Sequence, residues 1–124
     1  MKKNQLIGKW GENWAIEYLQ NQNYKILGQN YRTHSGEIDI IAENKNEIIF
    51  IEVKTRKKTS LTQPEEAITK AKCKKLTATA QQWLLENDKQ HMPARFDVIA
   101  IIWQPKELPE IIHYPNAIQD VYFY

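Results

Sequence analysis

Cysteine is almost absent: Cys73 stands alone among 124 residues. That excludes an internal disulfide and a thiolate zinc centre. Histidine is nearly as scarce. His34, His91 and His113 are scattered, with no pair at ligand-like spacing, so each reads as an ordinary surface or turn residue. Only four glycines and five prolines occur, against 26% charged residues and 42% from the AVILMFWYC set, which excludes disordered and low-complexity classes. No internal repeat is present. Long apolar runs are also missing, since the longest, Ile48–Ile51 and Val98–Trp103, fall far below the roughly 20 residues that cross a bilayer. The basic start Met1-Lys2-Lys3 leads into glycines and charges rather than the apolar core of a signal peptide. The expectation is a single domain over residues 1–124, in the cytoplasm and without membrane partners.

What the chain does contain is unevenly placed charge. Residues 1–75 carry 14 Lys and Arg against 9 Asp and Glu, while residues 76–124 carry 3 against 6. The basic excess sits in Lys54, Arg56, Lys57 and Lys58, and again in Lys70, Lys72, Lys74 and Lys75. Such clustering suits sequence-independent contacts to nucleic-acid phosphates, and equally suits a solvated helix face and turn.

Leu6 to about Gln22 reads as a helix despite Gly8 and Gly11, each of which costs about 1 kcal/mol relative to Ala. Gly8, Glu12, Ala15 and Leu19 share one stripe, so the glycines predict a close approach to another layer, with Glu12 pointing inward or along a cleft. Trp10, Trp14 and Tyr18 lie on the other side. Tyr24–Tyr31 has strand composition, and Glu37–Glu43 and Glu47–Thr55 read as a hairpin around Asn44-Lys45-Asn46. Thr62 and Glu65 form a capping box opening a helix to about Asn87, with Ile68, Ala71, Leu76, Ala80, Trp83 and Leu84 as its apolar stripe. Arg95–Trp103 and Ile111–Tyr114 complete a mixed α/β sheet flanked by helices.

The hairpin carries the chemistry. A turn centred between Lys45 and Asn46 pairs residues whose numbers sum to 91, which sets Asp39 against Glu52 and Glu37 against Lys54. Strict alternation puts these charges on one face with Ile41 and Phe50, and Ile38, Ile40, Ala42, Ile49, Ile51 and Val53 on an apolar opposite face. Two facing carboxylates repel unless something positive lies between them. Lys54 is one candidate. A divalent cation is the other, because Mg²⁺ is commonly held by one or two carboxylates together with waters and substrate phosphate. Glu12 offers a third carboxylate. A plain ion-pair triad at a half-exposed strand end accounts for Asp39, Glu52 and Lys54 equally well.

On Gly8, Gly11-Glu12 and Ala15, Asn30-Tyr31-Arg32, Gly36-Glu37-Ile38-Asp39, Phe50 to Arg56, Pro64 with Lys72, Arg95-Phe96-Asp97-Val98 and Asn116-Ala117, the chain resembles the YraN-like family of small bacterial proteins. That family itself resembles archaeal Holliday-junction resolvases and the PD-(D/E)xK restriction-endonuclease-like superfamily. The resemblance implies an αβββαβ core and makes Asp39, Glu52 and Lys54 the catalytic residues. It also makes Glu12, Asp39 and Glu52 the ligands of Mg²⁺ or Mn²⁺. The implied activity is metal-dependent nuclease chemistry on nucleic acid, DNA above all, with structure selectivity for branched DNA. Arg32, Arg56, Lys57, Lys58 and Lys72 are the expected phosphate contacts. Arg95 and Asp97 read instead as a structural pair. Two departures stand out: Ile38 takes the place of the motif's proline, and Ser60-Leu61 that of an aromatic-glycine pair. Two other functions stay open, a nucleic-acid-binding module without turnover and an interaction domain. The latter would dock a partner or a second copy, as a homodimer, through Trp10, Trp14 and the Val121–Tyr124 tail.

Overall fold

The structure is a computed structural model that describes residues 3–59 and 70–118. The expected capping box at Thr62, the Ser60-Leu61 departure, Ile68 and the aromatic tail lie outside the described residues. Helix α1 (Lys3–Asn21) precedes strands β1 (Lys25–Thr33), β2 (Gly36–Asn44) and β3 (Glu47–Lys57), then helix α2 (Lys70–Glu86) and strands β4 (Ala94–Trp103) and β5 (Glu110–Tyr114). The five strands form one sheet in the order β1-β2-β3-β4-β5, antiparallel except for the parallel β3–β4 pair, whose crossover contains α2. This is a mixed α/β sheet with two helices, consistent with a restriction-endonuclease-like fold.

The β2–β3 turn explains the register. Lys45 and Asn46 both adopt positive φ (50° and 63°), the combination that a two-residue type I′ turn requires. The ladder accordingly runs from Asn44↔Glu47 to Ile40↔Ile51, each pair summing to 91. It ends there. Asp39 and Glu52 are not ladder partners, nor are Glu37 and Lys54, contrary to the simple extrapolation of the hairpin.

The expected division into one apolar and one charged face is also corrected. Ile40, Ala42, Ile49 and Ile51 pack with Ala15 and Leu19 of α1 and with Ile99 and Ile101 of β4. Ile41, Ile48 and Phe50 are equally buried on the other side, beneath Leu76, Ala80, Trp83 and Leu84 of α2. Ile38 belongs to this α2 layer and not with Ile40. Alternation therefore breaks at Asp39, at the point where β3 ceases to pair with β2 and where Asn30, flanked by the pairs Gln29↔Ile40 and Tyr31↔Ile38, takes a left-handed φ of 50°.

Along α2, Cys73 and the fully buried Thr79 replace the exposed Ala71 on the inner stripe. Thr79 fits because its hydroxyl donates to the Lys75 carbonyl one turn back, at 2.8 Å.

The two α1 glycines behave differently. A Cβ on Gly11 would stand 2.0 Å from Thr55 Oγ1, so glycine is what lets the helix lie against β3. Gly8 has nothing within 4 Å of such a Cβ and borders open space, so the predicted packing reason does not apply there. We expect Gly11→Ala to cost about 1–3 kcal/mol through overpacking. Gly8→Ala should be neutral or stabilising by up to about 1 kcal/mol through helix propensity. Urea unfolding of the two variants measures both.

Candidate active site

Where β2 and β3 part, the side chain of Asp39 takes over the role of the missing ladder. Its Oδ2 accepts a hydrogen bond from the Val53 backbone N–H at 2.8 Å. Asp39 is also the residue shared by two openings. One, of about 430 Å³, lies under the first half of α1 and is lined by Ile7, Gly8, Glu12, Asp39, Thr55 and Arg56 among others. The other, of about 180 Å³, lies towards α2 and is lined by Glu37, Asp39, Glu52, Leu76 and Phe96 among others. Glu12 thus meets Asp39 from the α1 layer and Glu52 meets it from the α2 layer.

Charge is crowded here. Burial pushes the Asp39 carboxyl up to about 6; Glu52 and Glu37 push the same way, against the Val53 N–H and the Lys54 ammonium. Burial, then Asp39, then Glu37 raise Glu12 to about 7, with Lys9 opposing. Glu52 is neutralised differently. Its Oε1 faces the Lys72 ammonium at 3.1 Å and the Lys54 ammonium at 3.4 Å, while its Oε2 is buried with no hydrogen-bond partner.

These groups suit a divalent ion in three respects: an orphaned carboxylate oxygen on Glu52, a half-satisfied Asp39, and repulsion among carboxylates that a cation would relieve. Among the described residues, however, no three His, Cys, Asp or Glu side chains stand close enough together to hold an ion as a group. Glu12, Asp39 and Glu52 are arranged around two openings rather than gathered at one point. The arrangement therefore favours two carboxylates, Asp39 and Glu52, with waters and phosphate completing the shell.

The expected phosphate contacts separate. Arg56 lies in the α1-side opening, where Nη1 donates to the Thr55 carbonyl at 3.2 Å and Nε is buried without a partner. Lys72 reaches the site from α2. Arg32 does not: it is mostly exposed on β1 and pairs with Glu37 at 3.3 Å. Lys57 and Lys58 are exposed at the end of β3, Lys57 with its ammonium 5.5 Å from the Trp103 ring centre. Glu37, which the hairpin register sets on the charged face but not among the expected site residues, is a neighbour of the site.

A second charged cluster supports the frame. Asp97 is fully buried and accepts from Arg95 Nε at 2.9 Å, Arg95 Nη2 at 3.1 Å and the Asn116 N–H at 2.8 Å, with His113 Nε2 at 2.7 Å. These donors hold its carboxyl below the usual carboxylate range despite burial. An ionised Asp97 can only accept, so His113 Nε2 carries the proton and Nδ1 faces the Tyr18 hydroxyl at 3.1 Å. Arg95 continues to Glu47 at 2.5 Å. Arg95 and Asp97 are the structural pair expected of them. His113 is not the ordinary surface residue that its isolation in the sequence suggests.

The raised carboxyls at the two openings fix the sign of a pH effect. Asp39 and Glu12 keep their protons to higher pH when folded than when unfolded, so their contribution to stability is full below about pH 4 and is lost as pH rises through 6 and 7. Asp97 runs oppositely, its contribution being lost in acid. Urea midpoints measured from pH 5 to pH 8 should fall more steeply for the parent than for an Asp39→Asn, Glu12→Gln double variant. At pH 8, Mg²⁺ should raise the midpoint of the parent alone.

A family model described as uncharacterised protein family UPF0102 matches residues 11–101, which takes in Glu12, Asp39, Glu52, Lys54 and Lys72. A UPF0102 protein of Trichlorobacter lovleyi is 40% identical over 122 residues, covering 98% of this chain and 96% of that protein. Another, from Persephonella marina, is 45% identical over 110 residues, covering 89% and 90%. A third, from Syntrophotalea carbinolica, is 43% identical over 111 residues, covering 90% and 89%. With a model match over most of its length and relatives at this identity across nearly the whole chain, the protein belongs to the UPF0102, or YraN, family.

Proposed function

We propose that this chain is a Mg²⁺- or Mn²⁺-dependent nuclease that hydrolyses nucleic-acid phosphodiester bonds, with branched DNA as its substrate class. The observation that carries the reading is the meeting of Asp39 and Glu52 at the parted end of the hairpin, with the Lys54 ammonium on Glu52 and an unpartnered Glu52 oxygen beside it. A purely structural ion pair has no reason to keep a buried carboxylate oxygen without a donor.

In this reading Asp39 and Glu52 hold the divalent ion, which when bound supplies Lewis acidity to the phosphoryl oxygen and activates the hydrolytic water. Val53 fixes the rotamer of Asp39 by its backbone N–H, so one carboxylate oxygen is tied to the sheet and the other is free to act as a ligand. Lys54 stabilises negative charge as it builds on the phosphate. Arg56, with an unused guanidinium N–H, orients a phosphate within the α1-side opening. Glu12 lines the α1-side opening with Asp39, whose charge helps to raise its carboxyl, and in this reading would be the third carboxylate toward the ion. No helix among the described residues is long and apolar enough to cross a membrane.

The decisive assay is cleavage of linear, nicked, flapped and four-way DNA, with matched RNA, in Mg²⁺ or Mn²⁺. Wild type should cut branched DNA best. Asp39→Asn and Glu52→Gln should abolish cutting while leaving nucleic-acid affinity intact or raised, and Lys54→Met should slow it by on the order of 10²-fold. Binding to the panel without cutting by the wild type would replace the enzyme with a binding module.

Binding itself should be strongly salt-dependent because the basic residues near the site contact phosphates. Replacing Lys57 and Lys58 with Ala should flatten the plot of log affinity against log salt by about one to two units of slope, roughly 0.9 for each phosphate no longer neutralised. Fluorescence anisotropy on a fixed duplex between low and moderate salt reads the slope. An unchanged slope would place the nucleic acid away from the end of β3.

A further inference from the structure

Two lysines converge on a single oxygen of Glu52, and they differ in every respect that matters for what happens when another cation arrives. Lys54 stands two residues along the same strand, and its side chain is only 16% exposed. Lys72 reaches over from α2, is 46% exposed, and has solvent into which its four-carbon stem can swing. Its ammonium is also the nearer of the two, at 3.1 Å against 3.4 Å.

We infer that Lys72 and a divalent cation are alternative partners of Glu52, the ammonium holding the carboxylate until the ion takes it and Lys72 then turns to the substrate phosphate. This rests on the nuclease reading of the site and adds to it a competing contact and an order of events. The physical ground is charge and distance. The ammonium stands on Oε1, so a dication taken up by the same carboxylate would face it across a few ångströms, and their repulsion favours one partner at a time. Oxygen Oε2, buried and without a donor, offers the ion its point of entry. The more exposed of the two lysines is the one that can withdraw at the lower cost, since its side chain already stands partly in water. Once released beside the site, it meets the phosphate that the ion also binds. Cation and nucleic acid would then each favour the other's arrival through one side chain, a reciprocal coupling. In the absence of nucleic acid, Lys72 keeps cation affinity low.

The test is calorimetric titration of the whole chain with Mn²⁺ alone, at low ionic strength, comparing wild type, Lys72→Met, Lys72→Arg and Asp39→Asn. Removing a unit charge that competes at this range should tighten Mn²⁺ binding by on the order of tenfold in Lys72→Met. Lys72→Arg, which keeps the charge, should stay near wild type. Melting curves on each variant check that the half-exposed substitution leaves the fold alone. If Mn²⁺ binds wild type, is lost in Asp39→Asn, and binds Lys72→Met no more tightly, the cation site stands and the competition is wrong. If Asp39→Asn leaves Mn²⁺ binding as it was, or neither wild type nor Lys72→Met takes up Mn²⁺, the nuclease reading of Asp39 and Glu52 falls and the competition with it.

Discussion

Everything distinctive in this protein depends on a ladder that stops early. β2 and β3 pair from the turn to Ile40↔Ile51 and then part, and Asp39 spends one carboxylate oxygen on the Val53 N–H that continued pairing would have satisfied. Buried backbone donors need acceptors, so the parting is possible only because a side chain supplies one. It opens the sheet at one end and leaves Asp39 accessible from both layers. Asp39 and Glu12 there have their proton affinities raised, chiefly by burial.

The charged cluster on β4 and β5 is built on the opposite principle. Asp97 is as deeply buried as any core residue, yet Arg95, His113 and Asn116 satisfy it from three directions. The left-handed backbone of Asn116 is what turns its N–H towards the carboxylate. This cluster ties β4 and β5 to α1 through Tyr18, and to the start of β3 through Glu47. A fully partnered buried charge of this kind is costly to break and adds rigidity. One carboxylate is therefore locked in place by its donors, while Glu52 keeps a buried oxygen without a donor and Asp39 has a single one, where chemistry is proposed. The contrast between the two is a physical argument for which is structural and which is functional.

Much of this is legible in residue order. The two-residue turn at Lys45-Asn46 dictates the register, so the paired part of the hairpin follows directly, and alternation groups Ile40, Ala42, Ile49 and Ile51 correctly on one buried face. Ile38 escapes the pattern because a period of two is assumed to persist, and the left-handed residue that interrupts it, Asn30, lies on a neighbouring strand. Glu12 is legible because it shares a helix stripe with Ala15 and Leu19. The pairing of Arg32 with Glu37 is not legible, because it is set by β1–β2 pairing, which the hairpin arithmetic does not reach. His113 needs tertiary knowledge altogether, since its partners are 16 and 95 residues away in the chain.

The contact between Gly11 and Thr55 makes α1 a lever. The helix bears on β3 where a hydroxyl nests in the gap left by a missing methyl, and Glu12, the next residue, rides immediately beside that fulcrum. Any displacement of the helix at this point is carried straight to the carboxylate. The burial of Glu12 and its distance from Asp39, and with them its proton affinity, are geared to how closely a helix of 19 residues lies on the sheet. A substitution at position 11 would therefore be felt as a change in acidity at a site it never touches.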